Sequence, residues 1–380
     1  MWGVMIHGIR RMCVAGLALA CTATLAACSH SDNSRQSNVS GIVKIGVLAP
    51  STGGDQGSGR DTQRGAELAR SFINAGKEWP GYQPGQIWGP SGHARLSVVT
   101  LDTKNDQQHA ADEAATLAAD RDVAGIVGAL DSDATLDASQ RAERLQTPFI
   151  NGDAPLTALT ERGLDWFFRA GPDAADYGGA VLSLFRNIEQ QRQVAQRVAV
   201  LYSNDATGDD LRSTVAEFVE DAGNPIVASA PYEPEGTELP AAVATIRAAA
   251  PDVVLTTASS GTGEKIGDAF RAGGYIPPEV VVYGAPVEAS RLTEVPGFEV
   301  RVSRQAPWSP TIARANPLAA VATERYQQDF GTPMTTNAAM AFTTATILAR
   351  AIMDADSIDR ERVRSALVAL DLPGNATIMP

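Results

Sequence analysis

The residues best placed for chemistry follow short apolar runs. Val123–Val127 is followed by Ala129-Leu130-Asp131-Ser132-Asp133 and then by a segment of helical periodicity. Ser132 there, with its short polar side chain beside backbone donors, is a candidate ligand contact. The same residue type is also a favoured N-cap of an ordinary helix. Pro148–Asn151 leads into Gly152-Asp153-Ala154-Pro155, where Asp153 either meets a ligand cation or serves as a turn or cap residue. Asp131 and Asp133 carry the same two readings, solvated turn or ligand contact. Thr207, after Val198–Tyr202, and Ser259, after Asp252–Thr257, are either cleft hydroxyls or loop filler. With Asp131 and Asp153 both facing one cleft, charge complementarity favours a cationic or amide-bearing ligand over a neutral aliphatic one.

Other chemistries lack their motifs. Gly261-Thr262-Gly263-Glu264-Lys265-Ile266-Gly267 follows a strand and opens a helix, as a dinucleotide loop would. Its third glycine falls one residue late, and a plain βα turn accounts for it. No Gly-x-x-x-x-Gly-Lys-Ser/Thr occurs, so nucleotide hydrolysis belongs to another polypeptide. No Gly-x-Ser-x-Gly nucleophile elbow occurs either. His93 and His109 have no nearby Cys or His to complete a metal motif. No catalytic residue, cofactor or metal is expected.

The elements that must hold these residues alternate. Strands are predicted at Val43–Ala49, Arg95–Leu101, Val123–Val127, Pro148–Asn151, Val198–Tyr202, Ile226–Ala230, Asp252–Thr257 and Val280–Tyr283, with amphipathic helices between most of them. Apolar β-branched runs alternating with helices imply parallel sheets covered on both faces. Two such series, broken near Arg169–Asp173, predict an α/β protein of two doubly wound parallel-sheet lobes. The helices at Pro317–Phe330, Thr336–Ala355 and Asp359–Leu370 have no strand between them and are expected to pack on existing sheets. Ligands of open parallel sheets bind beyond the carboxyl ends of the strands. The loops there are Pro50–Asp61, Ala129–Asp133, Asn151–Pro155, Ser203–Asp210 and Thr257–Gly263. A cleft between the lobes would bury a small solute on closure.

Composition narrows the class. The 380 residues are 44% hydrophobic and 20% charged, which is globular rather than disordered. A net charge of −13 argues against nucleic acid and against docking to anionic lipid through a polybasic patch. Arg10 and Arg11 precede the uncharged run Met12 to Ala27, which is too short for a confident membrane span and suits an export signal. It ends in Leu25-Ala26-Ala27-Cys28, before the polar tract Ser29 to Ser40. That order resembles the bacterial lipobox, with Cys28 carrying the lipid (palmitate among its acyl chains) and becoming the mature N-terminus. The other reading is ordinary cleavage after Ala26-Ala27. Cys13 and Cys21 leave with the signal, so no internal disulfide is expected. The stretch Lys77–His93, with Trp79, Tyr82 and Trp88, is read as a hairpin packing its own aromatics, or as a cleft rim or partner surface.

The lipobox, the tether and the two αβ series resemble the solute-binding lipoproteins of bacterial ABC importers, in the leucine/isoleucine/valine-binding branch with the type I periplasmic-binding fold. The carriers are Val43-Lys44-Ile45-Gly46-Val47-Leu48-Ala49-Pro50, Arg64-Gly65-Ala66-Glu67-Leu68-Ala69, Ile73-Asn74-Ala75, Ile126-Val127-Gly128-Ala129-Leu130, Leu159-Thr160-Glu161-Arg162-Gly163 and Phe168-Arg169-Ala170-Gly171-Pro172. The resemblance implies a hinge joining the lobes, a first crossing at the last of these strings, and no enzymatic step. It also implies a separate permease and ATPase as partners, and a membrane-anchored extracytoplasmic location. Ser132 falls where that family holds an amino-acid carboxylate. Asp153 and Ala154 lie in the string that normally supplies small residues and a threonine, and Pro155 stands at the threonine. Ser58 and Thr207 stand where aromatics are expected, and no aromatic accompanies Ser259. No carboxylate occupies Gly284 or Ala285, where an ammonium would be gripped. The scaffold is thus kept while most of the α-amino-acid clamp is not, and the expected solute is a small polar one: an amino acid, an amide or a related compound.

The expected organisation is a signal at 1–27, lipidated Cys28 and tether at 28–41, lobe 1 at 42–170 and lobe 2 at 171–300. Helices returning mainly to lobe 1 fill 301–370, and 371–380 ends the chain. The family usually adds a further strand or two there, so truncation and a minimal return are both open. A ligand-sensing receptor subunit is the alternative on the same scaffold, and an exported hydrolase is a third.

Overall fold

The computed structural model describes residues 41–75, 94–192, 196–233, 237–257, 262–283, 292–299, 302–304, 307–373 and 376–379. The signal, Cys28, the tether as far as residue 40, the Lys77–His93 stretch, Ser259, Gly284 and Ala285 lie outside the described residues.

The first sheet consists of β1 (Gly41–Ala49), β2 (Ala94–Asp102), β3 (Val123–Val127), β4 (Phe149–Asn151) and β5 (Phe167–Arg169). Its order is β2-β1-β3-β4-β5, and every pairing is parallel. The second sheet holds β6 (Val198–Ser203), β7 (Ile226–Tyr232), β8 (Val253–Thr257), β9 (Val280–Tyr283) and β10 (Val302–Arg304), in the order β10-β9-β8-β6-β7 and again all parallel. Strands β3, β8 and β9 are buried along their whole length. Burial on both faces is what their unbroken apolar runs require.

Side-chain alternation decides which helices each face receives. On β1, Val43, Ile45 and Val47 point into a core shared with α1 (Gln56–Ala75), while Leu48 points to the opposite core beneath α2 (Gln107–Ala119) and α3 (Ser132–Arg144). In the second lobe, Val198 and Val200 face α5 (Ala174–Arg192) and α6 (Ala206–Asp221), which follow the one-turn helix α4 (Ala158–Glu161). Ala199 and Leu201 face α7 (Leu239–Ala249) and α8 (Gly263–Ala272).

The chain crosses from β5 to α5 through residues 170–173 and is back on the first core by Trp308. Helices α9 (Pro310–Ala315), α10 (Pro317–Phe330), α11 (Thr336–Ala355) and α12 (Arg360–Val368) follow, and Ile378 and Met379 are buried in the same core. Helix α11 is long and apolar enough to cross a membrane by length and composition, but it is a core helix. Fifteen of its residues are buried, and Phe342 meets Phe72 of α1 edge to face at 5.5 Å.

Two expectations need correction. The second sheet continues to Arg304, four residues past the boundary expected at residue 300, because β10 pairs Val302 with Val280 of β9. Three residues are too few to carry an alternating pattern. The loop expected over Pro50–Asp61 ends early, since α1 begins at Gln56 and takes Ser58 into its first turn.

Candidate functional site

Each sheet has a place where the connections reverse direction, and parallel sheets bind ligands there. In the first sheet β1 lies between β2 and β3; in the second, β6 lies between β7 and β8. The loops at these two points carry Ser132 in one lobe and Thr207 in the other.

The turn from β3 into α3 depends on Gly128. Its φ is +119°, and a Cβ there would lie 2.3 Å from the Leu48 carbonyl oxygen. A side chain is excluded on both counts. Asp131 then caps α3, its carboxylate accepting from the Ala134 amide at 2.7 Å. Capping is therefore the role of Asp131, and Ser132 is the first helical residue. Ser132 is buried, and its hydroxyl has no hydrogen-bond partner among the described residues.

Asn151, at the end of β4, ties this turn to the next loop. Its amide Nδ2 donates to the carbonyls of Ala129 at 2.8 Å and Gly128 at 3.1 Å, while its Oδ1 accepts from the Ala154 amide at 2.9 Å. Arg169 on β5 holds the same loop from the other side, donating to the carbonyls of Ala154 at 2.5 Å and Leu156 at 2.6 Å. Between these clamps lies Asp153, whose Oδ1 accepts from Asn337 Nδ2 of α11 at 2.9 Å. Asp153 keeps part of its surface accessible but is crowded enough that burial pushes its pKa up to about 7, the Asn337 bond offsetting only part of this.

The rest of this edge is acidic. Burial raises the pKa of Asp131, with Asp133 and Asp55 adding to the rise and the Ala134 amide opposing it. Asp55 is buried and accepts from Asn105 Nδ2 at 2.9 Å. Ser58 is buried beside it in α1, its carbonyl accepting from the Thr62 hydroxyl at 3.1 Å.

The second lobe presents the start of α6. Asp205 caps it through the Gly208 amide at 2.7 Å, and Thr207 is half-buried in the first turn. Asp133 on lobe 1 has its pKa raised by burial and then by Asp205 of lobe 2, so the two helix starts oppose each other. The lobes also touch directly, Thr157 N donating to Asp210 Oδ2 at 2.8 Å. Near the crossing, Tyr283 donates to the Ala174 carbonyl at 2.6 Å and its ring meets Tyr177 at 6.0 Å. Burial raises the Tyr177 phenol, and Asp153 contributes to that rise.

Of the residues singled out in the sequence, Ser132, Asp153 and Ala154 are linked through Asn151, Ser58 lies on the same sheet edge, and Thr207 belongs to the opposing lobe. Asn151, Arg169 and Asn337 were not among them as site residues. Asn337 lies 184 positions from Asp153 in an apolar helix, and no local pattern points to it. Among the described residues, no group of three His, Cys, Asp or Glu could hold a metal ion.

Residues 42–378 match the sequence profile of periplasmic binding proteins. The chain belongs to the periplasmic binding protein family. A curated relative is Leu/Ile/Val-binding protein homolog 7 of Brucella suis biovar 1 (strain 1330), 25% identical over 350 residues, covering 89% of this chain and 83% of the relative. Among solved structures, the leucine binding protein LivK of Thermotoga maritima MSB8 is similar with a TM-score of 0.71 at 21% identity, over 86% of this chain and 87% of that one. The branched-chain amino acid transporter substrate binding protein LivJ of Streptococcus pneumoniae str. Canada MDR_19A, in complex with isoleucine, gives 0.70 at 21% identity over 89% and 91%. These likenesses carry the two-lobed type I periplasmic-binding fold.

Proposed function

We propose that this periplasmic binding protein is the extracytoplasmic solute-binding subunit of an ABC importer. It captures a small polar solute, an amino acid, an amide or a related compound, between its two lobes, and it breaks no bond. The observation that supports this most is the buried, unpartnered Ser132 hydroxyl at the start of α3, joined through Asn151 to the Asp153 loop and facing the start of α6. An unpaired buried hydroxyl is unfavourable unless something binds it. Closure is favoured only by contacts the solute gains in the closed form, and the closed pair of lobes is what a membrane permease, served by a separate ATPase, recognises. The names of the relatives support a transport role. In this reading Ser132, Asp153, Ala154, Thr207, Ser259 and Ser58 line the solute, residues 42–170 with the returning C-terminal helices form the first lobe, and residues 171–304 form the second.

A thermal-shift screen of the full chain in detergent against amino acids, amides, ureas and polyamines tests the binding reading. A solute at 100 times its Kd adds roughly 2.7 kcal/mol of stability, a clear rise in Tm. A flat response to every compound overturns it.

The anchor is a separate proposal, resting on the order of charge, apolar run, small residues and Cys28. On detergent phase separation of bacterial membranes, the chain is expected in the detergent phase and Cys28→Ala in the aqueous phase. Identical partitioning of the two rejects the anchor and leaves solute binding standing.

A further inference from the structure

The loop after β4 and the first turn of α11 set two hydrogen-bond acceptors side by side. Asn337 is buried and donates through Nδ2 to Asp153 Oδ1. Its own Oδ1 is buried and has no partner among the described residues, and no described residue donates to Asp153 Oδ2. With Asp153 ionised, turning the Asn337 amide over would not help, because its oxygen would then press on the carboxylate and its NH2 would be orphaned instead. Arg169, the neighbouring cation, spends its two terminal amino groups on the carbonyls of Ala154 and Leu156. The Tyr177 phenol of α5 also lies near the carboxylate. Two adjacent acceptors, one carboxylate and one amide oxygen, are complementary to a group rich in N–H donors.

We propose that Asp153 and Asn337 together receive an N–H-bearing group of the solute, a primary ammonium, a carboxamide or a guanidinium, and so determine which solutes bind. This rests on the solute-binding reading above. One N–H reaches Asp153 Oδ2 and a second reaches Asn337 Oδ1. A carboxylate or an alkyl group at the same place meets only acceptors and is rejected, since buried polar groups would stay unpaired. The positive end of α11 opposes a cation weakly, and the full charge on an ionised Asp153 outweighs it. The pair is also held firmly. Helix α11 is locked in the core by Phe342 against Phe72, and the Asp153 loop is clamped by Asn151 and Arg169.

Three matched pairs of probes test this by calorimetric titration of the full chain in detergent: L-leucine with 4-methylpentanoate, L-glutamine with L-glutamate, and L-lysine with L-norleucine. In at least one pair the member with the extra N–H group is expected to bind tenfold or more tightly than its partner. Asn337→Ala should erase that advantage while leaving the weaker member unmoved. Asp153→Asn, which keeps shape but removes charge, should reduce an ammonium advantage more than a carboxamide one. Should Asn337→Ala fail to fold, Asn337→Asp serves instead, and it should raise the lysine-to-glutamine affinity ratio. Pairs bound equally, or an advantage that survives both substitutions, overturn the proposal while solute binding stands. Binding by none of the six overturns it as well, and the broad screen then decides whether solute binding itself survives.

Discussion

Gly171→Ala is expected to destabilise the protein by about 3 kcal/mol or more, at the upper end of what overpacking does. Gly171 sits in the crossing between β5 and α5. A Cβ built there would lie 1.8 Å from the Gly152 carbonyl oxygen and 2.6 Å from its carbonyl carbon. Both are main-chain atoms that no rotamer change can move. The backbones are held together by the Ala170 amide, which donates to the Asn151 carbonyl at 2.8 Å. Relief therefore requires the crossing to lift away from the loop that carries Asp153 and Ala154. Chemical denaturation should show the loss of stability, and solute binding should weaken with it. Gly179→Ala is the matched control of opposite sign. Gly179 is interior to α5, an added Cβ meets nothing within 4 Å, and helix propensity predicts a gain of up to about 1 kcal/mol. Equal effects of the two substitutions would contradict the steric account.

Much of the scaffold was legible because its signals are long and periodic. Val123–Val127 and Val280–Tyr283 are strands over the residues their apolar runs occupy, and the helices at Pro317–Phe330 and Thr336–Ala355 have the expected limits. The start of α1 is hidden in the sequence, because glycines 57 and 59 weaken the helical signal while its stability comes from the buried face of Leu68, Phe72 and Ile73. Strand β10 has no sequence signal of its own; its three residues owe their structure to pairing with β9. At the site, the sequence could place Ser132 and Asp153 at strand ends but not say what they touch. Ser132 and its neighbour Asp131 compete for one capping role, and only the fold shows that Asp131 takes it. Asn337 is a polar residue in a strongly apolar helix, and its meaning depends on a loop in a distant part of the chain.

Asp153→Asn is expected to raise stability at neutral and alkaline pH and to flatten its dependence on pH. The carboxyl group moves from an ordinary 3.8 to about 7 on folding, so the folded state holds its proton more tightly than the unfolded state does. Between those two values the folded protein binds more protons, and stability must fall as pH rises. Well below pH 3.8 the group is neutral in both states and contributes no slope. Above pH 7 the full penalty of a crowded carboxylate is present, with a ceiling of about 4 kcal/mol at 1.36 kcal/mol per unit of pKa. Asparagine removes the charge while its Oδ1 can still accept from Asn337 Nδ2, so the variant should keep the hydrogen bond and lose the penalty. Asp131 and Asp133 are shifted in the same direction, which gives the wild-type protein a background slope of the same sign. The informative quantity is therefore the difference in Tm between Asp153→Asn and wild type, measured without solute at pH 4, 6 and 8. It should be smallest at pH 4 and largest at pH 8. A difference that is constant across this range would mean that Asp153 does not titrate near neutrality. A solute ammonium at Asp153 Oδ2 would lower this pKa and cancel the penalty. The same residue that destabilises the empty protein would then tighten its grip on a cation, and stabilisation of wild type by such a solute should grow from pH 5 to pH 8 while that of Asp153→Asn stays level.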